Sequence, residues 1–266
     1  MAKEKKKDVK KSLLAVIVML VLEIGMFSLI FLGGRALYVL FSGEVKEEKM
    51  KVYDIKNKID FLEVDIIKSD LTIKKGDKFE VRSGNKNVKV KTRGNKLVVE
   101  EEDKIYKPLR SKVVITIPYE LIDVSVENEG GIVNISDLAS DEVDFEFTYG
   151  KVNINNLISH KETSIECGNG NTIFKDVKLN NLELEGGTAD LELTGQITGY
   201  SSVDAGMGKI KFNLDDLDNY TIKVKDNVGN VKVAGEDAKR KDVFGEGKNV
   251  INVSGGVGEI IINFSK

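Results

Sequence analysis

The chain has 266 residues, of which 41% are hydrophobic and 31% charged, with a formal net charge of −3. Residues 1–11 carry +4, residues 12–43 are neutral, and residues 44–266 are left with −7. A mildly acidic main part argues against a nucleic-acid-binding protein, which needs a basic face. The 25 glycines, 2 prolines and absence of tryptophan suit many tight turns between short strands.

A transmembrane helix is predicted at residues 12–41. Its apolar centre, Leu13–Gly34, would be about 33 Å long as a helix, which matches a hydrocarbon core of roughly 30 Å. The central Glu23 costs about 3 kcal/mol there, but fourteen Leu, Ile, Val and Phe residues each return about 0.3–0.6 kcal/mol. The stretch is longer than a cleavable signal peptide and lacks an Ala-x-Ala site, so an uncleaved anchor is expected.

The orientation follows from six lysines in residues 1–11, immediately before the helix. The positive-inside rule places this basic tail in the cytoplasm and the rest of the chain outside it, at the cell membrane. Glu23 has two open interpretations. It is either a protonated or snorkelling residue without a role, or a contact to the transmembrane helix of a partner.

Residues 42–58 are charged and are predicted to be a linker to an extracytoplasmic β domain, residues 59–266. Apolar residues alternate with polar ones from Ile59 onwards. Two alternating runs surround Gly94-Asn95, which predicts a β-hairpin. The section that ends before Pro118 is therefore expected to be antiparallel.

After Pro118 the chain repeats one unit: glycine, any residue, apolar, any residue, apolar. It begins at seven glycines, spaced by about 20 residues: Gly131, Gly150, Gly170, Gly187, Gly208, Gly229 and Gly258. Such a period predicts a β-solenoid (β-helix or β-roll), in which stacked units share one core and glycines form the corners. The sequence thus predicts an all-β fold, with an antiparallel β section before the solenoid.

The period breaks at Glu236–Asn249, which is predicted to be a polar loop inserted before the last turn. The chain then ends in the apolar run Ile260–Phe264. An apolar terminal strand would leave a sheet edge that must be covered. The inserted loop, a second copy and another partner are all open as the cover.

No catalytic, cofactor-binding or metal-binding set is predicted. Cys167 alternates with Ile165 and is interpreted as a small buried hydrophobic residue. His160, the only histidine, is interpreted as a polar turn residue, since one histidine cannot build a multi-histidine site. Asp215, Asp216 and Asp218 could hold a hard cation, but a solvated turn is expected.

The run VVITIPYELIDVSVENEGGIVNI (Val113–Ile135), with the glycine repeats that follow, resembles a bacterial family of domains of unknown function labelled "putative adhesins". It also resembles LiaG-type proteins encoded near envelope-stress systems. The resemblance covers roughly residues 59–264. It implies a β-helical or β-roll domain, commonly tethered to a membrane, and carries over no functional residue.

These observations lead us to expect a non-enzymatic, single-pass envelope protein whose solenoid is a binding or scaffolding surface. Partners in the cell wall, in a membrane complex or on another cell are all open, as is the oligomeric state. One alternative is an accessory sensor or regulatory subunit of an envelope-stress complex, joined through Glu23. Another is a polysaccharide-acting β-helix enzyme.

Overall fold

The computed structural model describes residues 50–102, 111–227 and 229–265, without the side chains of residues 226 and 227. The predicted basic tail, the predicted transmembrane helix with Glu23, and linker residues 42–49 lie outside this part. Within the described ranges, no helix is long and apolar enough to span a bilayer.

The described residues are almost entirely β structure. A short 3₁₀ helix, Leu217–Asn219, is the one helical turn among them. The strands are β1 (Lys51–Asp54), β2 (Phe61–Ile66), β3 (Asp70–Lys75), β4 (Glu80–Ser83), β5 (Val88–Arg93), β6 (Lys96–Glu101), β7 (Lys112–Ile117), β8 (Leu121–Asn128), β9 (Ile132–Asn180), β10 (Leu182–Gly186), β11 (Asp190–Thr198), β12 (Tyr200–Ala205), β13 (Lys209–Leu214), β14 (Tyr220–Asn227), β15 (Asn230–Val233), β16 (Glu236–Ala238), β17 (Val243–Phe244), β18 (Asn249–Gly255) and β19 (Glu259–Phe264).

The strands form two ladders, and β9 is long enough to turn several corners and contribute to both. The first ladder runs β5–β6–β2–β8–β9–β10–β12–β18–β14–β17. The second runs β1–β4–β7–β3–β9–β11–β13–β19–β15–β16. We call one strand of each ladder, with the corner between them, a rung. Parallel stacking of such rungs gives a β-solenoid-like domain, as predicted.

Antiparallel pairing is confined to the two ends of the ladders. The predicted hairpin at Gly94-Asn95 is confirmed, since β5 and β6 pair antiparallel with Arg93 opposite Lys96. The expected antiparallel section up to Pro118 is otherwise found only in part, since β4 pairs antiparallel with β1 and with β7. Strands β2 and β3 form a rung that pairs in parallel on both sides. The antiparallel strands instead cover the open ends, where unpaired edges would invite aggregation.

The core lies between the two ladders as one cluster of alternating apolar side chains. Leu138, Leu157 and Val177, which recur three residues after each apolar pair, are all buried there. Cys167 is also buried, and burial raises the pKa of its thiol to about 11. Its predicted place as a small core residue is therefore confirmed.

Three successive corners after the second ladder are turned by an aspartate or asparagine in the left-handed backbone region. Asp137, Asn156 and Asp176 have φ of 55°, 54° and 54°, a conformation that these residue types tolerate because their short side chains form local hydrogen bonds. The amide of Asn156 donates to Oδ1 of Asp137 at 2.7 Å. The outward Asn153 donates in the same way to Asn134 at 3.0 Å. Stacked side chains thus fix the register from rung to rung.

The glycine corners stack directly on one another, but the predicted series is wrong at one position. Leu191 pairs with Thr172 and Leu193 with Phe174, which places Ala189, not Gly187, opposite Gly170. Gly187 belongs to a second glycine column, since a side chain there would lie 2.4 Å from the carbonyl oxygen of Gly168. Sequence spacing alone could not distinguish the two columns, because each places a glycine near a corner.

The expectation that the C-terminal strand is a sheet edge in need of a cover is also wrong. Strand β19 pairs with β13 on one side and β15 on the other, and Ile260 and Ile262 are buried. The loop Glu236–Asn249 contains β16 and β17, which cover β15 and β14. The last rung in sequence is thus the penultimate rung in space.

Candidate functional site

Rows of carboxylates cover the outward surface of the first ladder. Alternation in every strand turns apolar residues inward, so the intervening residues point to solvent, and many of these are acidic. We call this surface the acidic face. Its carboxylates are Glu63, Asp65, Glu100, Asp123, Glu127, Glu142, Asp144, Glu146, Glu162, Glu166, Glu183, Glu185 and Asp204.

The strand register aligns one row of these acids across the ladder. Glu100 pairs with Asp65, Asp65 with Glu127, and Glu127 with Glu146. On later rungs, Glu166 pairs with Glu185, and Glu185 with Asp204. Neighbouring strands lie about 4.8 Å apart, well inside the screening length of about 8 Å at physiological salt. The negative charges therefore reinforce one another along the whole row.

Cations are few on the acidic face and lie at its ends. At the N-terminal end Lys96 pairs with Glu63, and Lys91 lies 3.2 Å from Glu100. At the other end Lys223 faces outward from β14, opposite Asn252. In the described central strands, from β8 to β12, no strand pairing places a lysine opposite an acid, and Lys161 contacts Asp141 at a corner. This stretch of carboxylates is consequently left for solvent or a bound partner.

The outward surface of the second ladder has the opposite character. Its acids are paired: Lys211 contacts Glu192 at 2.8 Å, and Lys209 contacts Glu259 at 2.8 Å. Exposed lysines occur along its length, including Lys74, Lys151 and Lys175. We call it the lysine face. The two faces of one domain thus differ in charge although both have the same strand geometry.

The pKa values on the acidic face show this crowding. Partial burial, and then the charge of Glu100 and other acids, raises the pKa of Asp65. Burial, then Glu142, raises the pKa of Asp123, and burial, then Asp65 and Glu146, raises that of Glu127. On the lysine face, hydrogen bonds from Lys211 and then Asn213 lower the pKa of Glu192. Ionisation of these three carboxyl groups on the acidic face is thus disfavoured, whereas ionisation of Glu192 on the lysine face is favoured.

Replacing Glu127 with glutamine should therefore stabilise the domain. A carboxyl with a raised folded-state pKa disfavours folding when it ionises, so stability falls as the pH rises from about 4.3, the unfolded-state value, through that raised pKa. At pH 7 in low salt we expect Glu127→Gln to raise Tm by about 1–2 °C. The gain should vanish below about pH 4.

Glu192→Gln is the matched control on the lysine face, and it should lower Tm or leave it unchanged, because the pKa of Glu192 is depressed. Scanning calorimetry at several pH and salt values measures both variants. Equal shifts in the same direction would contradict the charge difference between the faces.

A metal site does not account for these acids. Within the described ranges no three His, Cys, Asp or Glu side chains are grouped closely enough to hold an ion. The arrangement instead suits separate contacts to several positive groups.

The three aspartates considered in the sequence are used within the fold. Oδ2 of Asp215 accepts hydrogen bonds from Gln196 and Asn219. Asp216 caps the 3₁₀ helix, since its side chain accepts from the backbone N–H of Asp218. His160 is exposed but lies within β9 rather than in the expected turn, and its Nε2 lies 3.6 Å from Glu120. Glu23, the one residue predicted from the sequence as a partner contact, lies outside the described residues.

A shallow pocket of about 160 Å³ lies at the corners after the second ladder, near the N-terminal end. Tyr119, Glu120, Asp137 and Asn156 supply its polar lining. The Tyr119 hydroxyl already accepts from the N–H of Ile59 at 2.8 Å, and Asp137 is held by Asn156. These groups are engaged in holding the corners together.

The stacked parallel rungs define a repeat-built β-solenoid-like domain with one strongly acidic face. The chain belongs to the Toastrack DUF4097 family, whose model matches residues 44–263. No curated protein matches it.

Two solved structures are similar to the chain. One, described as a "putative adhesin" from Bacteroides fragilis, is 15% identical, with a TM-score of 0.47, over 81% of this chain and 98% of that chain. The other, described as a "putative cell adhesion protein" from Clostridium sporogenes, is 13% identical, with a TM-score of 0.34, over 82% of this chain and 99% of that chain.

Proposed function

We propose that this chain is a non-enzymatic, membrane-anchored envelope protein whose β domain is an adhesin-like binding module. Its acidic face is the binding surface, and its partner is cationic. The observation that carries this proposal is the strand register, which places Asp65, Glu127 and Glu146 in one row on the outward side of the first ladder. The anchor rests on the apolar stretch Leu13–Gly34 and the lysines before it.

The rigidity of the ladder supports binding rather than mere solubility. Backbone pairing on both sides of each central strand fixes the backbone that carries each carboxylate, so little backbone entropy remains to be lost on association. Rows repeat about 4.8 Å apart between strands and roughly 7 Å apart along a strand. An extended chain with a positive side chain at every second residue has the same spacing of roughly 7 Å. Its charges can therefore meet one carboxylate each.

Charge reversal on each face tests the proposal. The purified domain is titrated with a decalysine peptide, which stands in for the cationic partner. Glu127→Lys, Glu146→Lys and Glu185→Lys together should weaken binding by at least about tenfold, since each exposed ion pair contributes about 0.2–1 kcal/mol. The affinity of the unaltered domain should fall as salt is added.

The matched control reverses three exposed residues of the lysine face: Lys74→Glu, Lys151→Glu and Lys175→Glu. These changes alter the net charge in the opposite sense and should leave the affinity unchanged or raise it. Thermal melts verify that both triple variants fold. Equal affinity of the acidic-face variant and the unaltered domain would refute the proposal.

A further inference from the structure

The order of the rungs at the C-terminal end differs from their order in the sequence. Strands β14 and β15 come before β18 and β19 along the chain. In space, however, β18 and β19 lie between the rung of β12 and β13 and the rung of β14 and β15. The C-terminal rung, Asn249–Phe264, therefore occupies a slot whose two walls are earlier parts of the chain.

Both walls make full backbone contact with the C-terminal rung. On one side β18 pairs in parallel from Tyr200–Val250 to Asp204–Ser254, and on the other it pairs from Tyr220–Asn249 onwards. Strand β19 is likewise paired with β13 and β15. Its inward side chains, with those of β18, are almost fully buried. Without this rung, both walls would expose apolar residues and unpaired backbone groups.

Side chains of the C-terminal rung also recognise the walls. Oδ1 of Asn249 accepts from the N–H of Gly199 at 3.1 Å, while its Nδ2 donates to the carbonyl of Asn219 at 3.1 Å. Asn252 donates to the carbonyl of Ser201, and Asn263 donates to Oδ1 of Asn213. These contacts fix one register of the rung in the slot.

The turn of the C-terminal rung fits only with glycine at two of its positions. A Cβ atom on Gly256 would lie 2.0 Å from the carbonyl oxygen of Gly206, and one on Gly258 would lie 1.9 Å from that of Gly208. The slot therefore selects a peptide with two alternating apolar strands joined by a glycine-containing turn. The C-terminus of this chain is such a peptide.

A long connection, residues 234–248, joins the C-terminal rung to β15. The neighbouring connection between β13 and β14 has only residues 215–219. The longer one crosses the end of the solenoid and carries β16 and β17 on its outside. Extended at about 3.3–3.6 Å per residue, its fifteen residues reach roughly 50 Å, which is enough to enter the slot of a neighbouring molecule.

We propose that the slot is a strand-complementation site that also accepts the C-terminal rung of a second copy of this chain. Reciprocal exchange gives a dimer in which the contacts of the C-terminal rung with its two walls are kept, now between two chains, while β16 and β17 leave β15 and β14 as the connection extends. Exchange of an identical element between two copies needs no new interface. The balance between monomer and exchanged dimer depends on the protein concentration relative to the effective concentration of the rung tethered in its own chain. The inference is independent of the acidic face and its partner.

Paired cysteines test the exchange in the full chain. Asp204 and Ser254 are directly paired, outward-facing neighbours on β12 and β18, at a separation suited to a disulfide. One chain carries Asp204→Cys and another carries Ser254→Cys, and the two are co-produced and oxidised. Exchange sets these two positions of different chains side by side, so their disulfide should form in excess of what random contact between exposed thiols gives.

Two further samples complete the design. The double variant Asp204→Cys with Ser254→Cys should form the disulfide within one chain, which verifies the register. A mixed pair on neighbouring central strands, Glu127→Cys and Glu146→Cys on separate chains, should give no dimer, because those rungs cannot exchange. We expect a covalent dimer from the mixture of Asp204→Cys and Ser254→Cys chains. We expect none from the mixture of Glu127→Cys and Glu146→Cys chains. The proposal is overturned if the double variant links within the chain while the first mixture gives no more dimer than the control.

Discussion

Gly170→Ala is expected to destabilise the domain by about 3–5 kcal/mol, enough to unfold much of it at 37 °C. Gly170 has φ of +137°, and a Cβ atom there would lie 2.0 Å from the carbonyl oxygen of Gly150 and 2.9 Å from its nitrogen. Both contacts are to backbone in the neighbouring rung, so relief requires the rungs to separate. Because the ladder is parallel and continuous, that separation would break hydrogen bonds on both sides of the corner.

The matched control is Gly94→Ala in the β5–β6 hairpin. Gly94 also has a positive φ, +62°, but a Cβ atom there would have nothing within 4 Å. The left-handed backbone alone costs about 1–2 kcal/mol for alanine. Urea unfolding of both variants separates backbone strain from the clash between rungs. A similar loss in the two variants would contradict close stacking of the glycine corners.

Glu101→Gln is expected to cost about 2–4 kcal/mol, the second-largest effect. Oε2 of Glu101 accepts from the N–H groups of Ile67, Lys68 and Ser69 at 3.2, 3.0 and 3.0 Å, and Oε1 accepts from the Asn85 amide at 2.7 Å. The buried carboxylate thus accepts hydrogen bonds from the backbone N–H groups at the corner between β2 and β3. The side-chain NH₂ group of a glutamine would face one of the N–H groups that donate to Glu101, and that hydrogen bond would be lost.

Glu100→Gln is the neighbouring control, since Glu100 is outward and its ion pair with Lys91 is exposed. We expect that variant to change stability by less than about 0.5 kcal/mol. Urea denaturation, together with hydrogen exchange at the amides of Ile67 and Ser69, measures the difference. Unchanged exchange at these amides in Glu101→Gln would show that the carboxylate does not hold the corner.

The repeat could be predicted from the sequence because it depends on local spacing. Alternation identified Cys167 as a buried residue, and the Gly94-Asn95 hairpin followed from two adjacent runs. The order of rungs could not be predicted in this way. Any rung with two apolar strands and a glycine corner can stack on any other, so placing β18 and β19 between earlier rungs depends on contacts distant in sequence.

The acidic face was missed for a similar reason. Each strand alone, such as Asp144-x-Glu146 or Glu183-x-Glu185, has the ordinary appearance of a solvated strand with charged outward positions. Only the register shows that Glu127 and Glu146 are neighbours, and that lysines collect on the other ladder. The signal available in the sequence was the excess of acids over lysines in the strands before Gly131, Gly150, Gly170 and Gly187.

The most direct test of the acidic face as a binding surface is carbodiimide cross-linking on intact cells that produce the full chain. This reagent joins a carboxylate to an amine in direct contact, and mass spectrometry locates each linked residue. We predict links from partner amines to Glu127, Glu146, Glu166 and Glu185, abolished by the three charge reversals on that face. Links confined to Glu192 and Glu259 on the lysine face, or spread evenly over both faces, would contradict the proposed function.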